Sequence, residues 1–125
     1  FMKTMLRLAN EREQLSIVND QIGTPTNALD LAQMLAELIS KDQLMQRPPY
    51  GVYHYSNEGQ CSWYDFAVAI FKLKGVTIPV HSIPTTQFPT PAKRPAYSVL
   101  DKSKIKKVMQ LTIPEWQDSL RELLT

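Results

Sequence analysis

Phe1, Met5 and Leu8, flanked by Met2 and Leu6, recur at the spacing of one helix face and predict a helix running to about Asn10. The polar residues 11–14 end it, and Leu15-Ser16-Ile17-Val18-Asn19, short and partly β-branched, predicts a strand. Beyond a polar stretch over 19–26, residues Ala28, Leu31, Ala32, Leu35, Leu38 and Ile39 fall at 3–4 spacing, which predicts a helix over 27–40 with one apolar face. Arg47-Pro48-Pro49-Tyr50-Gly51 follows as a connection that cannot be helical inside. Residues 51–57, aromatic and β-branched, give the strongest strand signal. Ser62 with Asp65 three residues on is close to a capping box, and it opens a helix through Phe66, Ala67, Ile70 and Phe71 that Gly75 closes. A third strand is predicted over 78–83, confined by Pro79 to an edge or a strand start. Residues 97–100 read as extended, Asp101 as the cap of a short helix, and Pro114 as the first residue of a last helix that buries Trp116, Leu120 and Leu123. Helices alternate with short strands without repeats or a break in composition. The class is α/β, or α+β for the segment alone, in one domain over 1–125.

Composition narrows the function. A chain of 125 residues, 43% apolar and 21% charged, has enough apolar residues for a core. The net charge of +2 is too small to imply nucleic acid, and the one basic cluster, Lys102 to Lys107, reads as the solvated face of a short helix. Asp30, Gln33 and Glu37 interrupt the longest helical pattern, so no membrane span is expected. Cys61 is the single cysteine and can form no internal disulfide, which fits a cytoplasmic setting. The first helix opens in mid-pattern without a cap, as expected of a piece of a longer protein.

Nothing in the chain makes a complete catalytic site. The glycines at 23, 51, 59 and 75 are too scattered for a phosphate-cradling loop. His54 and His81, each read on a strand, have no spaced metal partner, and Ser56 and Ser62 lack a nucleophile-elbow context. Cys61 precedes a helix start that would lower its pKa, yet without a base or second Cys it reads as an ordinary half-buried thiol.

Three places suit binding. In the 19–26 stretch Gly23 is expected at positive φ or with another chain or a ligand packed closely against it, and Pro25 keeps Thr24 extended, so the turn aims Asp20, Gln21 and Thr26 at whatever lies across from it. Its plainer reading is a strand-to-helix connection with a Thr or Asn cap. At residues 57–64 a strand end meets a helix start, where Trp63 can stack on a base or sugar or else anchor the core. The third place lies in residues 84–95, where four prolines exclude helix and central strand and predict an ordered loop across a surface. There Lys93 and Arg94 precede Pro95, with Tyr97 and Ser98 behind, a setting suited to clamping a phosphate or forming a surface salt bridge.

The motifs over 18–26, 53–59 with 62–67, and 91–101, in that order and spacing, together resemble the C-terminal half of the dTDP-4-dehydrorhamnose reductases, a family of extended short-chain dehydrogenases/reductases. The closing Ile113-Pro114-Glu115-Trp116 fits as well, so the resemblance covers nearly the whole chain. It implies the last step of dTDP-L-rhamnose synthesis, in which NADPH or NADH reduces the C4 ketone of dTDP-4-dehydro-L-rhamnose. In that family an N-terminal Rossmann domain supplies the Gly-rich turn and a Tyr-x-x-x-Lys pair. This chain has neither, since Tyr97, for example, leads to Asp101. The implied role is therefore a substrate-side lobe, inactive alone and bound to its own N-terminal domain, with cofactor held outside it and no metal or catalytic residue in the segment. Its implied substrate contacts are Asp20, Gln21, Thr26, Trp63, Lys93, Arg94 and Ser98; a homodimer and its metal support are left open. Two other roles stand beside this one: a non-catalytic regulatory subunit of the same fold, like the relatives associated with methionine adenosyltransferase, and a free-standing interaction module.

Overall fold

Strands β1 (Leu15–Val18) and β4 (Val80–Ile83) pair in parallel, with Leu15 opposite Val80 and Val18 opposite Ile83. A computed structural model describes residues 1–44 and 48–125. Helix α1 (Met2–Glu11) precedes β1, and the crossover to β4 carries α2 (Ala28–Gln43) and α3 (Trp63–Lys74). A second small sheet pairs β2 (Ile22–Gly23) antiparallel to β3 (Cys61–Ser62). Helices α4 (Ser103–Met109) and α5 (Trp116–Leu124) complete the α/β arrangement.

Local chemistry explains the element ends. Asn27 caps α2 by accepting the Leu29 N–H at 2.9 Å. Ser62 and Asp65 form the full capping box of α3, each side chain accepting the other's backbone N–H at 3.0 Å. Gly75 closes α3 in the left-handed region at φ 64°. Asp101 accepts the Ser103 N–H at 2.9 Å and so serves the start of α4, while β4 begins immediately after Pro79, which has no N–H to donate.

Two apolar clusters make the core. One joins Met5, Leu15, Ile17, Cys61, Ala67, Ile70, Phe71, Trp116 and Leu120; the other joins Met34, Ile105, Met109 and Ile113. Asn57, fully buried, ties their elements together. Its Nδ2 donates to Asp30 Oδ2 at 2.6 Å on α2 and to Ser119 Oγ at 2.9 Å on α5, and its Oδ1 accepts the Asn27 N–H at 2.8 Å. The same Asp30, together with burial, raises the Tyr55 hydroxyl pKa, burial being the larger cause.

Several expectations are corrected. Residues 51–57 form no strand, so His54 is not on a strand. Lys104 and Lys102 donate to the Val52 and Asn57 carbonyls in place of a neighbouring strand. The polar 19–26 stretch is not all turn, because Ile22 and Gly23 enter a sheet and Gly23 does not have positive φ. The apolar positions of α2 split into two stripes. Leu31, Met34 and Leu38 pack on the second cluster, while Ala28, Ala32, Leu35 and Ile39 face outward. The basic cluster is only partly solvated: Lys102 is 7% exposed, because its ammonium serves inside the fold. The last helix starts at Trp116, two residues after Pro114, and Leu123 is exposed while Leu124 packs inward. Helix α2 runs to Gln43 rather than fading at 40–42, and Arg47 of the predicted connection lies outside the described residues.

Candidate functional site

The small sheet gathers the three stretches singled out in the sequence. Ile22 pairs with Ser62 on one side and makes a parallel bridge to Tyr97 on the other. Its N–H donates to Ala96 O at 2.8 Å, and its carbonyl accepts the Ser98 N–H at 2.9 Å. The 19–26 stretch therefore lies between the entry to α3, with Trp63, and the end of the proline-rich loop, with Lys93 and Arg94. Tyr97 adds a strut, its hydroxyl donating to Gln60 Oε1 at 3.0 Å.

Parallel register brings a further partner. Continuing past Val18 opposite Ile83 puts Asp20 opposite Thr85, the first residue of a short 3₁₀ turn, Thr85–Gln87. The Asp20 carboxylate accepts the Thr85 N–H at 2.9 Å and the Thr85 hydroxyl at 2.6 Å, and Gln21 Nε2 donates to that hydroxyl oxygen at 3.0 Å. The Thr85 hydroxyl thus both donates and accepts, and these bonds hold the Asp20 carboxyl below its usual pKa, the hydroxyl bond first.

Each predicted residue then has a place. Asp20 and Gln21 are engaged with Thr85, and Ser98 Oγ donates to Ile22 O at 3.2 Å. Thr26 is exposed, its hydroxyl at 3.5 Å from Thr24 O. Trp63 is no core anchor: it is 44% exposed, with Phe1 against it at 4.8 Å between ring centroids. Lys93 and Arg94 are exposed, and among the described residues neither makes a hydrogen bond or ion pair. Among the charged residues predicted for the site, these two are the ones without a partner among the described residues.

Two glycines shape this face by close approach. At Gly23 an added Cβ would fall 2.9 Å from Ser98 Oγ. Gly59, at φ 79°, leaves room for neither: a Cβ there would meet Glu115 Oε2 at 2.6 Å and Trp116 Cδ1 at 3.0 Å. The Gly59 carbonyl accepts the Thr24 hydroxyl at 2.8 Å, which fixes the turn against the α3 entry.

A cleft of about 610 Å³ adjoins this region, lined in part by Glu58, Gln60, Leu100, Lys102 and Lys106. Its two lysines are already paired with Glu58. Lys106 Nζ lies 2.7 Å from Glu58 Oε1 and Lys102 Nζ 3.4 Å from Glu58 Oε2, which lowers the Glu58 pKa, the Lys106 bond most. Cys61 is no reactive thiol: burial, and then the Asp65 charge, push its pKa up to about 12. Among the described residues no group of His, Cys, Asp and Glu is arranged to hold a metal, and no helix is long and apolar enough to cross a membrane.

Sequence reasoning missed Thr85, Asn57 and Lys102. Thr85 was legible only through the strand register, and Asn57 and Lys102 only through burial, which a polar residue does not advertise.

The whole chain, residues 1–125, matches the family model described as RmlD substrate binding domain. A dTDP-4-dehydrorhamnose reductase of Aggregatibacter actinomycetemcomitans is 42% identical over 130 residues, covering 98% of this chain and 44% of that protein. The crystal structure of a dTDP-4-dehydrorhamnose reductase from Clostridium acetobutylicum superposes with a TM-score of 0.88 at 42% identity, over 98% of this chain and 41% of that one. The reductase of Bacillus anthracis, solved in complex with NADP, gives 0.88 at 39% identity, over 98% and 41%. The chain spans less than half the length of these relatives.

Proposed function

This chain belongs to the RmlD substrate binding domain family, and on that premise we propose that it is the nucleotide-sugar-binding domain of a reductase converting dTDP-4-dehydro-L-rhamnose to dTDP-L-rhamnose. The observation that carries the proposal is the pair Lys93 and Arg94, free of partners among the described residues on a loop pinned to one edge of the small sheet. A dTDP-sugar presents a diphosphate, a base and a sugar. Arg94 offers a planar fork that bridges two phosphate oxygens, Lys93 adds a second cation, and the exposed part of Trp63 offers a ring for stacking. Thr26 supplies an exposed hydroxyl on the same stretch. Asp20, Gln21 and Ser98 belong to the site as the groups that build its walls.

The Bacillus anthracis relative was solved with NADP, which favours NADPH in the intact enzyme. The residues of this chain do not fit that cofactor. Gly59 and Gly75 each serve a single turn or cap, and the four glycines form no phosphate cradle. No tyrosine here is followed by lysine four positions on. Cofactor and proton donor are accordingly assigned to an N-terminal dinucleotide-binding domain, the partner of this one, and the segment's part in the reaction is to bind and orient the sugar nucleotide. A buried, unpaired Cys61 and a nucleotide-sugar substrate are consistent with work in the cytoplasm.

The test is an assay of the full-length protein and of the 125-residue chain side by side. NADPH-dependent reduction of dTDP-4-dehydro-L-rhamnose is expected of the first, and no turnover of the second. A full-length protein that does not reduce this substrate would turn the reading towards a non-catalytic subunit, and turnover by the short chain would overturn the division of labour.

A further inference from the structure

The proline-rich loop is attached at both ends to one four-residue stretch. At its start the Asn19 N–H donates to Ile83 O at 3.0 Å, and Asp20 and Gln21 hold Thr85. At its end Ile22 holds Ala96 and Ser98. Asp20 and Ile22 are two residues apart, so the anchors stand within about 7 Å along the chain. Residues 86–95 are thereby closed into an Ω-shaped loop with neighbouring ends. Between the anchors every residue is exposed, and the bonds found there are local: Phe88 N–H to Thr85 O at 3.0 Å and the Thr90 hydroxyl to Ala92 O at 2.7 Å. Pro89, Pro91 and Pro95 stiffen the path. The position of Lys93 and Arg94 is therefore decided at the stem and transmitted along a stiff loop.

We propose that Asp20, Gln21 and Thr85 are positioning residues that act on the ligand through Arg94, by fixing the stem of the 84–95 loop. This rests on the reading of Arg94 as a diphosphate contact and adds how that contact is placed. Asp20 is well built for holding rather than for touching substrate. A carboxylate beside a diphosphate would repel it, whereas here its oxygens face the Thr85 N–H and hydroxyl. Thr85 completes the clamp because its single hydroxyl serves Asp20 as donor and Gln21 as acceptor.

A double-mutant cycle on dTDP affinity in the full-length protein tests this, using Thr85→Val and Arg94→Ala. Thr85→Val keeps the shape and removes the hydroxyl, and it is expected to weaken dTDP binding about three- to tenfold with NADPH affinity unchanged. Thr85→Ser, which keeps the hydroxyl, should restore it. On the Arg94→Ala background Thr85→Val should add less than about twofold, because the residue it positions is gone. Multiplying effects, or an unchanged affinity in Thr85→Val where Arg94→Ala is impaired, would overturn the proposal. Hydrogen exchange of the Thr85, Gln87 and Phe88 amides, each hydrogen-bonded at the stem, judges the clamp without reference to ligand: faster exchange in Thr85→Val supports it and unchanged exchange overturns it. Should Arg94→Ala bind dTDP like the parent, the Arg94 reading itself falls, and the exchange result still decides the clamp.

Discussion

Residues 52–58 and 84–95 both lie outside the two small sheets, yet they are held in opposite ways. The first is fastened along its length. Lys104 Nζ donates to Val52 O at 2.8 Å and lies 4.3 Å from the centre of the Tyr53 ring, Lys102 Nζ donates to Asn57 O at 3.0 Å, and Glu58 exchanges backbone bonds with Pro114 and Trp116. The second is fastened at its ends and left bare between them. Lysine serves both, inward in one and outward in the other. A cation with carbonyl and carboxylate partners closes a fold; the same kind of residue with none among the described residues is free to bind. Sequence composition does not separate these uses, and geometry does.

The sharpest way to break the fastened segment is at its hub. Asn57→Ala would strip at least four hydrogen bonds and leave the Asp30 carboxylate and Asn27 N–H short of partners, costing about 3 kcal/mol or more. Urea unfolding of the two proteins measures it, and a loss below about 1 kcal/mol would deny Asn57 its central place. Next comes Lys102→Met, which keeps the stem and removes the ammonium. A loss of about 2 kcal/mol is expected, with dTDP affinity in the full-length protein unchanged, since Lys102 faces inward. An affinity loss with normal stability would move Lys102 into the ligand site.

Acid separates the regions more gently. Glu58 has a folded pKa below its ordinary 4.5, so its contribution is present above about that pH and is lost as pH falls through the folded value. Thermal unfolding followed downward from pH 6 should therefore show a stability loss beginning near pH 4.5 that Glu58→Gln flattens. A profile the substitution leaves untouched would contradict the assignment. The smallest effect is expected at Gly23→Ala, about 1 kcal/mol, because the new Cβ meets only the Ser98 hydroxyl at 2.9 Å. Adding Ser98→Ala should recover most of that loss by clearing the space, and a double variant no better than the single would place the strain elsewhere.

Much of this was legible locally. The Ser62–Asp65 capping box, the Gly75 stop, the Asn cap at 27 and the strand starting after Pro79 each depend on residues a few positions apart, where sequence determines geometry. Residues 51–57 misled because β-propensity reports fitness for a half-buried extended surface. That fitness is real here, but Lys102 and Lys104 take the place of the partner strand. The apolar face of α2 misled for a related reason: periodicity finds apolar stripes and does not say which one the rest of the chain covers. At the candidate site the turn, Trp63 and the Arg94 loop were each visible, and their resemblance to one family gave them a common purpose. Thr85 was out of reach because its meeting with Asp20 follows from the parallel register of residues 15–18 and 80–83, which no local pattern announces.

Arg94, bare of partners among the described residues and presented by a pinned loop, is proposed to contact the diphosphate of a dTDP-sugar. Calorimetric titration of dTDP into the full-length protein and its Arg94→Lys variant tests it most directly, with Lys93→Ala run beside them to separate the two cations. The lysine keeps the charge and loses the two-oxygen fork, so affinity should fall by about 10- to 150-fold while NADPH binding stays within about twofold. An Arg94→Lys variant that binds dTDP as tightly as the parent would exclude Arg94 as the diphosphate contact.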